Sequence, residues 1–246
     1  MKAPVFLTAA WRNLVMLNYE VDPAILRPRV PRGTELDSFE GRTYASVVGF
    51  LFLDTRVLGV PIPFHRDFEE LNLRFYVRRE SGGELRRGVV FVKEIVPRAA
   101  IAWVARTVYN ENYVAMPMKH HVRIPDATGD GRVEYSWQAG ERWSRVAARI
   151  AGAPVPMAPG SHEEFIAEHY WGYAAQRDGS AVEYEVEHPP WRVWRALDPV
   201  LDCDVAQLYG DEFRAALSSA PASSFVAEGS EIVVRRGRHI RAGERR

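Results

Sequence analysis

Glu70-Leu71-Asn72-Leu73-Arg74-Phe75-Tyr76-Val77 alternates polar and apolar side chains without a break. In an extended strand successive side chains point to opposite faces. Leu71, Leu73, Phe75 and Val77 therefore share one face and belong to a core. Glu70, Asn72, Arg74 and Tyr76 share the other, spaced about 6.7 Å apart along the strand. That polar row has two readings. The commoner is a solvated outer face; the other is the lining of a closed barrel, where Glu70 and Arg74 pair with each other or hold a ligand. Periodicity alone leaves both open.

The flanking sequence also reads as strands. Thr43 to Asp54 is apolar at both parities, as a strand buried on both faces would be. Ser81-Gly82-Gly83-Glu84 marks a turn, and Gly88 to Val96 is the returning strand. A second hairpin joins His121–Ile124 to Arg132–Gln138 around Thr128-Gly129-Asp130-Gly131, and Val182–His188 and Glu231–Arg236 add later strands. Connections this local favour antiparallel pairing over a doubly wound sheet. The expected class is mainly β with a few helices (α+β), in a single domain over residues 1–246.

Helix signals are few. Ser161 with Glu164 forms a capping box, and the helix it opens is expected to run through Gln176 and stop near Gly179. Asp22–Leu26 suggests a short helix with Pro23 at its first position, and Asp204–Leu217 a third. The basic tail, from about residue 237, is expected to fray.

Composition narrows the function classes. The chain has 246 residues, and its 32 basic side chains balance 32 acidic ones. That balance gives no electrostatic reason to expect nucleic acid or a membrane surface as partner. The single cysteine, Cys203, excludes an intrachain disulfide and a cysteine-rich metal site, and a reducing cytoplasm fits best. The N-terminal apolar stretch is interrupted by Trp11-Arg12-Asn13 and does not read as a signal peptide. A homodimer is one expected assembly, because β domains with apolar edge strands often pair.

The densest polar segment outside residues 70–77 is Tyr109 to Val122, with Glu111, Asn112, Tyr113, Lys119, His120 and His121. Adjacent histidines on a strand face opposite ways, so His120 and His121 do not make a metal site together, and no metal is expected. Lys119 is either an exposed strand lysine or a buried amine able to act as nucleophile or base. Phosphate-loop, dinucleotide, serine-elbow and zinc-helix motifs are absent, so no cofactor is expected. Cys203 lies between Asp202 and Asp204, which raise a thiol's pKa, and it reads as inert. Trp191 and Trp194 read as core packing or as cover for a barrel mouth.

Three stretches resemble the YqjF-like family of uncharacterised bacterial proteins, within the acetoacetate decarboxylase-like superfamily. They are Asn18-Tyr19-Glu20-Val21-Asp22-Pro23 running into Val30-Pro31-Arg32-Gly33, then Phe68 to Val77, then His188-Pro189-Pro190-Trp191 through Leu208-Tyr209-Gly210 to Ala227-Glu228-Gly229-Ser230. The resemblance implies a cone-shaped antiparallel β barrel with a central small-molecule cavity. The decarboxylase forms a Schiff base between its substrate and a lysine activated by a neighbouring lysine. On that likeness Met118 takes the Schiff-base position and Lys119 the helper's. Glu20 stands where an arginine would meet the substrate carboxylate, and an acid there repels it. Glu70 is the counterpart of the active-site glutamate.

Three functions follow. The first is a small-molecule-binding barrel without Schiff-base decarboxylase chemistry, lined by Asn72, Arg74 and Tyr76 with Glu20 and Met118, and with Glu70 as general acid or base. The second is a lyase (decarboxylase, aldolase or dehydratase) acting on a keto acid through Lys119. That requires a one-residue shift, which turns the side chain to the other face of its strand. The third is a non-catalytic structural or interaction domain whose polar strand faces water.

Overall fold

The computed structural model describes residues 2–61, 65–98, 112–126 and 129–240. In chain order its principal strands begin with β1 (Val5–Glu20), β2 (Tyr44–Val57), β3 (Phe68–Ser81), β4 (Glu84–Val96) and β5 (Tyr113–Ala115). Next come β6 (Met118–Arg123), β7 (Asp130–Ala139) and β8 (Arg142–Ala151). β9 (Trp171–Ala175), β10 (Ala181–Glu187), β11 (Leu197–Asp202) and β12 (Ser223–Arg235) complete the set. The helices used below are α1 (Pro23–Leu26), α2 (His162–Ala167) and α3 (Val205–Tyr209).

Seven strands close into a barrel in the order β12-β1-β2-β3-β4-β9-β10, with β10 returning to β12. The neighbours are antiparallel, as expected from the local connections, except at one seam. There β4 and β9 run parallel, pairing Trp171 with Gly88 and Gly172 with Val89. Parallel neighbours need a long crossover, and here it carries β6, β7 and β8 of the second sheet, whose order β11-β8-β7-β6 is completed by the later β11.

That second sheet decides which side of β3 is outside. Val133, Tyr135 and Trp137 from β7 and Val146, Ala148 and Ile150 from β8 pack in one buried cluster with Val15, Val47, Leu71, Leu73 and Phe75. Gly49 on β2 permits the approach, since a Cβ there would lie 2.8 Å from the Tyr135 ring. The apolar face of residues 70–77 is thus the outer wall, covered by a sheet and by α3. The opposite face turns into the barrel with Met16, Val48, Phe50, Val89 and Phe225, where Phe165 and Ile166 of α2 also pack. Residues 44–52 are buried at both parities because each face of β2 has a core of its own.

Several boundaries differ from the sequence reading. The helix opened by Ser161 ends at Ala167, and Trp171–Ala175 is a barrel strand instead. Cross-strand packing outweighs helical continuation here. Gly172 lies so close to Tyr184 of β10 that a Cβ would come 2.1 Å from its ring. The cap itself is as read: the Ser161 hydroxyl accepts from the Glu164 N–H at 3.2 Å, while the Glu164 carboxylate accepts from Gly160 N–H at 2.6 Å. Asp22 caps α1 with Pro23 at its first turn. The third helix is broken at Gly210, whose φ of 108° favours glycine. The tail is held further than expected. Arg238–Ile240 pairs with Ala181–Glu183, and Arg238 reaches the buried carboxylate of Glu183 at 2.6 Å. Among the described residues no helix is long and apolar enough to cross a membrane.

Candidate functional site

The polar row of β3 is inside. Glu70, Asn72, Arg74 and Tyr76 are all buried, with Arg74 the most exposed at 8%. The commoner reading, a solvated outer face, is therefore corrected. Both faces of the strand exclude water, and alternation records two different interiors.

Polar partners from the neighbouring strands complete the row. Asn72 donates to Glu70 Oε1 at 3.1 Å, and the Tyr113 hydroxyl of β5 donates to Glu70 Oε2 at 3.2 Å. Asn72 is paired across the ladder with Glu94 of β4, a second buried carboxylate on the inner face. Toward the other end, the Tyr76 hydroxyl meets the Ser46 hydroxyl at 2.6 Å. Ser46 donates to Asn18 Oδ1 at 2.6 Å, and Asn18 donates to Ser223 at 2.9 Å. Register explains this chain, because Asn18, Ser46 and Arg74 lie opposite one another across three strands.

Arg74 sits between these two networks. Its guanidinium donates to the Ile166 carbonyl at 3.3 Å and lies 5.8 Å from the centre of the Tyr76 ring. Among the described residues no carboxylate forms an ion pair with it. Its Nε and the Oδ1 of Asn72 are buried without hydrogen-bond partners among the described residues. Buried polar groups are nearly always paired, and an unpaired buried charge is costly.

Two histidines flank the cation. His169, its side chain buried, packs tilted against the Tyr76 ring at 4.6 Å and lies 3.6 Å from Asp37. Burial pulls its pKa down to about 4, with Asp37 opposing and Arg87 and Arg74 assisting. Burial pushes the Asp37 carboxyl upward, but the nearby His169 ring and the Arg87 guanidinium, which donates to it at 2.7 Å, outweigh it and hold it at about 2. His188 stacks on Trp191 at 4.2 Å, close to Trp11. Burial lowers its pKa, and the charge of Arg74 adds to the effect. Trp191 is buried and donates to Ser230 at 2.9 Å, consistent with its reading as core.

The remaining candidates lie elsewhere. Glu20 ends β1 with its side chain more than half exposed, paired to Arg42 at 3.2 Å. It does not face the buried cation. Met118 packs in the outer cluster between barrel and second sheet. Lys119 is exposed on β6 with its ammonium 4.1 Å from the centre of the Trp143 ring. Burial pushes the Cys203 thiol up to about 12, with Asp202 and Asp204 adding to the effect. Tyr109 and Glu111 lie outside the described residues. No group of three or more metal-ligating side chains occurs among the described residues. Asp37, His169, Asn18 and Ser46 were missed by sequence reasoning. Asn18 and Ser46 were recoverable only from register, and Asp37 and His169 are too far apart in sequence to be paired by pattern.

A closed seven-strand barrel with an outer sheet defines the acetoacetate decarboxylase-like fold. Acetoacetate decarboxylase from Legionella pneumophila superposes with a TM-score of 0.65 at 12% identity, covering 97% of this chain and 88% of that one. The enduracididine biosynthesis enzyme MppR complexed with pyruvate gives 0.64 at 17%, covering 97% and 91%. Residues 8–231 match the family described as "Uncharacterized conserved protein" (DUF2071), and the chain belongs to it. A relative within reach of sequence comparison is the uncharacterized protein YqjF of Bacillus subtilis, 28% identical over 189 residues, which are 76% of this chain and 74% of that one.

Proposed function

We propose that the barrel interior binds a small organic anion through Arg74, without a Schiff base to Lys119. The observation that carries this reading is the buried Arg74 guanidinium, which has no carboxylate partner among the described residues. A carboxylate there gains charge-assisted hydrogen bonds that Ile166 alone does not supply. Glu70, held by Asn72 and Tyr113, is the general acid or base within the same interior. The electrostatic objection raised by Glu20 falls away, because that carboxylate is neutralised at the strand end by Arg42. A keto acid of the pyruvate class, which the MppR neighbour holds, is the first ligand to try.

The covalent alternative requires Lys119 to reach that interior, and its exposed position over Trp143 argues against it. Borohydride trapping with a panel of keto acids, read by intact-mass spectrometry, separates the readings. The expected result is reversible binding that Arg74→Gln removes, with no mass adduct. An adduct on Lys119 overturns the non-covalent reading. Failure of every small carboxylate to bind overturns the anion site.

A further inference from the structure

A cavity of about 180 Å³ lies against the outer wall of the barrel, between β4, the second sheet and α3. It is separate from the buried polar row. Lys93 enters it from β4 and is paired with Leu73 on the outer face, whereas the next residue, Glu94, faces inward opposite Asn72.

Two groups in the lining lack acceptors suited to them. The half-buried Lys93 ammonium donates to the Leu208 carbonyl, and no carboxylate forms an ion pair with it among the described residues. Burial lowers its pKa. The indole N–H of Trp137, a wholly buried residue of the same wall, has no hydrogen-bond partner among the described residues. The other charges nearby are engaged. Arg142 is paired with Asp202 at 2.5 Å, and Asp204 Oδ1 accepts from the Gln207 N–H at 3.1 Å. Buried donors with no acceptor are costly, and a ligand supplying acceptor oxygens removes that cost.

We infer that this cavity is a second small-molecule site, taking a short-chain carboxylate whose oxygens accept from Lys93. Its apolar chain packs on Met116, Trp137 and Leu208. At about 30 Å³ per water-sized group the space holds roughly six such groups, which suits a short aliphatic acid. The site does not depend on the proposed role of Arg74.

Butyrate titration into the full chain, followed by ligand-observed NMR, tests the inference. Saturable binding that persists in Arg74→Gln, weakens about tenfold or more in Lys93→Met and survives in Lys93→Arg is the expected result, the loss being that of one charge-assisted contact. Loss of butyrate binding in Arg74→Gln, equal binding by Lys93→Met, or no binding by the wild-type chain overturns it. Should Lys93→Met fail to fold, acetylation of the wild-type chain by acetic anhydride decides the matter through peptide mass. Butyrate slows acetylation of Lys93 several-fold if the site exists, and an unchanged rate overturns it.

Discussion

Arg74 and Ile166, 92 positions apart, are joined by a single hydrogen bond of 3.3 Å from guanidinium to carbonyl inside the barrel. It is a weak tether for a buried cation. A fold that needed only stability would do better with an apolar side chain there, since isolated buried charges destabilise.

Arg74→Met is therefore expected to raise thermal stability while removing anion binding. The gain should be about 1 kcal/mol or more, equal to a few degrees in Tm for a chain of this size. Scanning calorimetry with and without a keto acid checks both parts. A variant less stable than wild type would show that Arg74 is a structural tie.

Acid should weaken the fold through His169. Its folded pKa of about 4 lies below the ordinary 6.5, so the unfolded chain takes up the proton first. This contribution to stability is whole above pH 6.5 and is lost as pH falls toward 4. It amounts to about 3 kcal/mol. Asp37 acts in the same direction lower down, between about 4 and 2. Urea denaturation at a series of pH values should show the slope between 6.5 and 4, and His169→Gln should flatten it.

Ligand binding should also move protons. An anion on Arg74 screens the charge that helps keep His188 and His169 neutral. Proton uptake on binding follows, growing as pH falls toward 6. Calorimetric titration in buffers of different ionisation enthalpy measures it; a binding heat independent of buffer would contradict the arrangement.

Gly172→Ala should destabilise the chain by about 1–3 kcal/mol, the usual cost of overpacking. The added methyl meets the Tyr184 ring at the β9–β10 pairing. Tyr184→Leu in the same background should restore part of the loss, as read by denaturant midpoint.

Cys203 should resist alkylation until the chain unfolds. A thiol moved from 9.0 to about 12 has roughly a thousandfold less thiolate at neutral pH. Iodoacetamide labelling followed by mass, in native buffer and in guanidinium, makes the comparison.

Much of the fold was legible in local pattern. The Ser81–Glu84 turn, the doubly buried β2 strand, the Asp22 and Ser161 caps and the alternation of residues 70–77 each follow from spacing that a strand or helix imposes. The Trp171–Ala175 strand was not legible, because its aromatic run after a helix cap suits either state until Gly172 meets Tyr184.

The sequence by itself determined that Glu70, Asn72, Arg74 and Tyr76 share one face and that the face differs chemically from its opposite. Only the tertiary structure decided that this face is the inner one. The physical reason is that alternation reports a difference between two environments, not which of them holds water. Here a second sheet packs against the apolar side and closure of seven strands buries the polar side. Tertiary structure also brought Asp37 to His169 and left Lys119 at the surface. Such contacts depend on how the barrel closes, which no local spacing encodes.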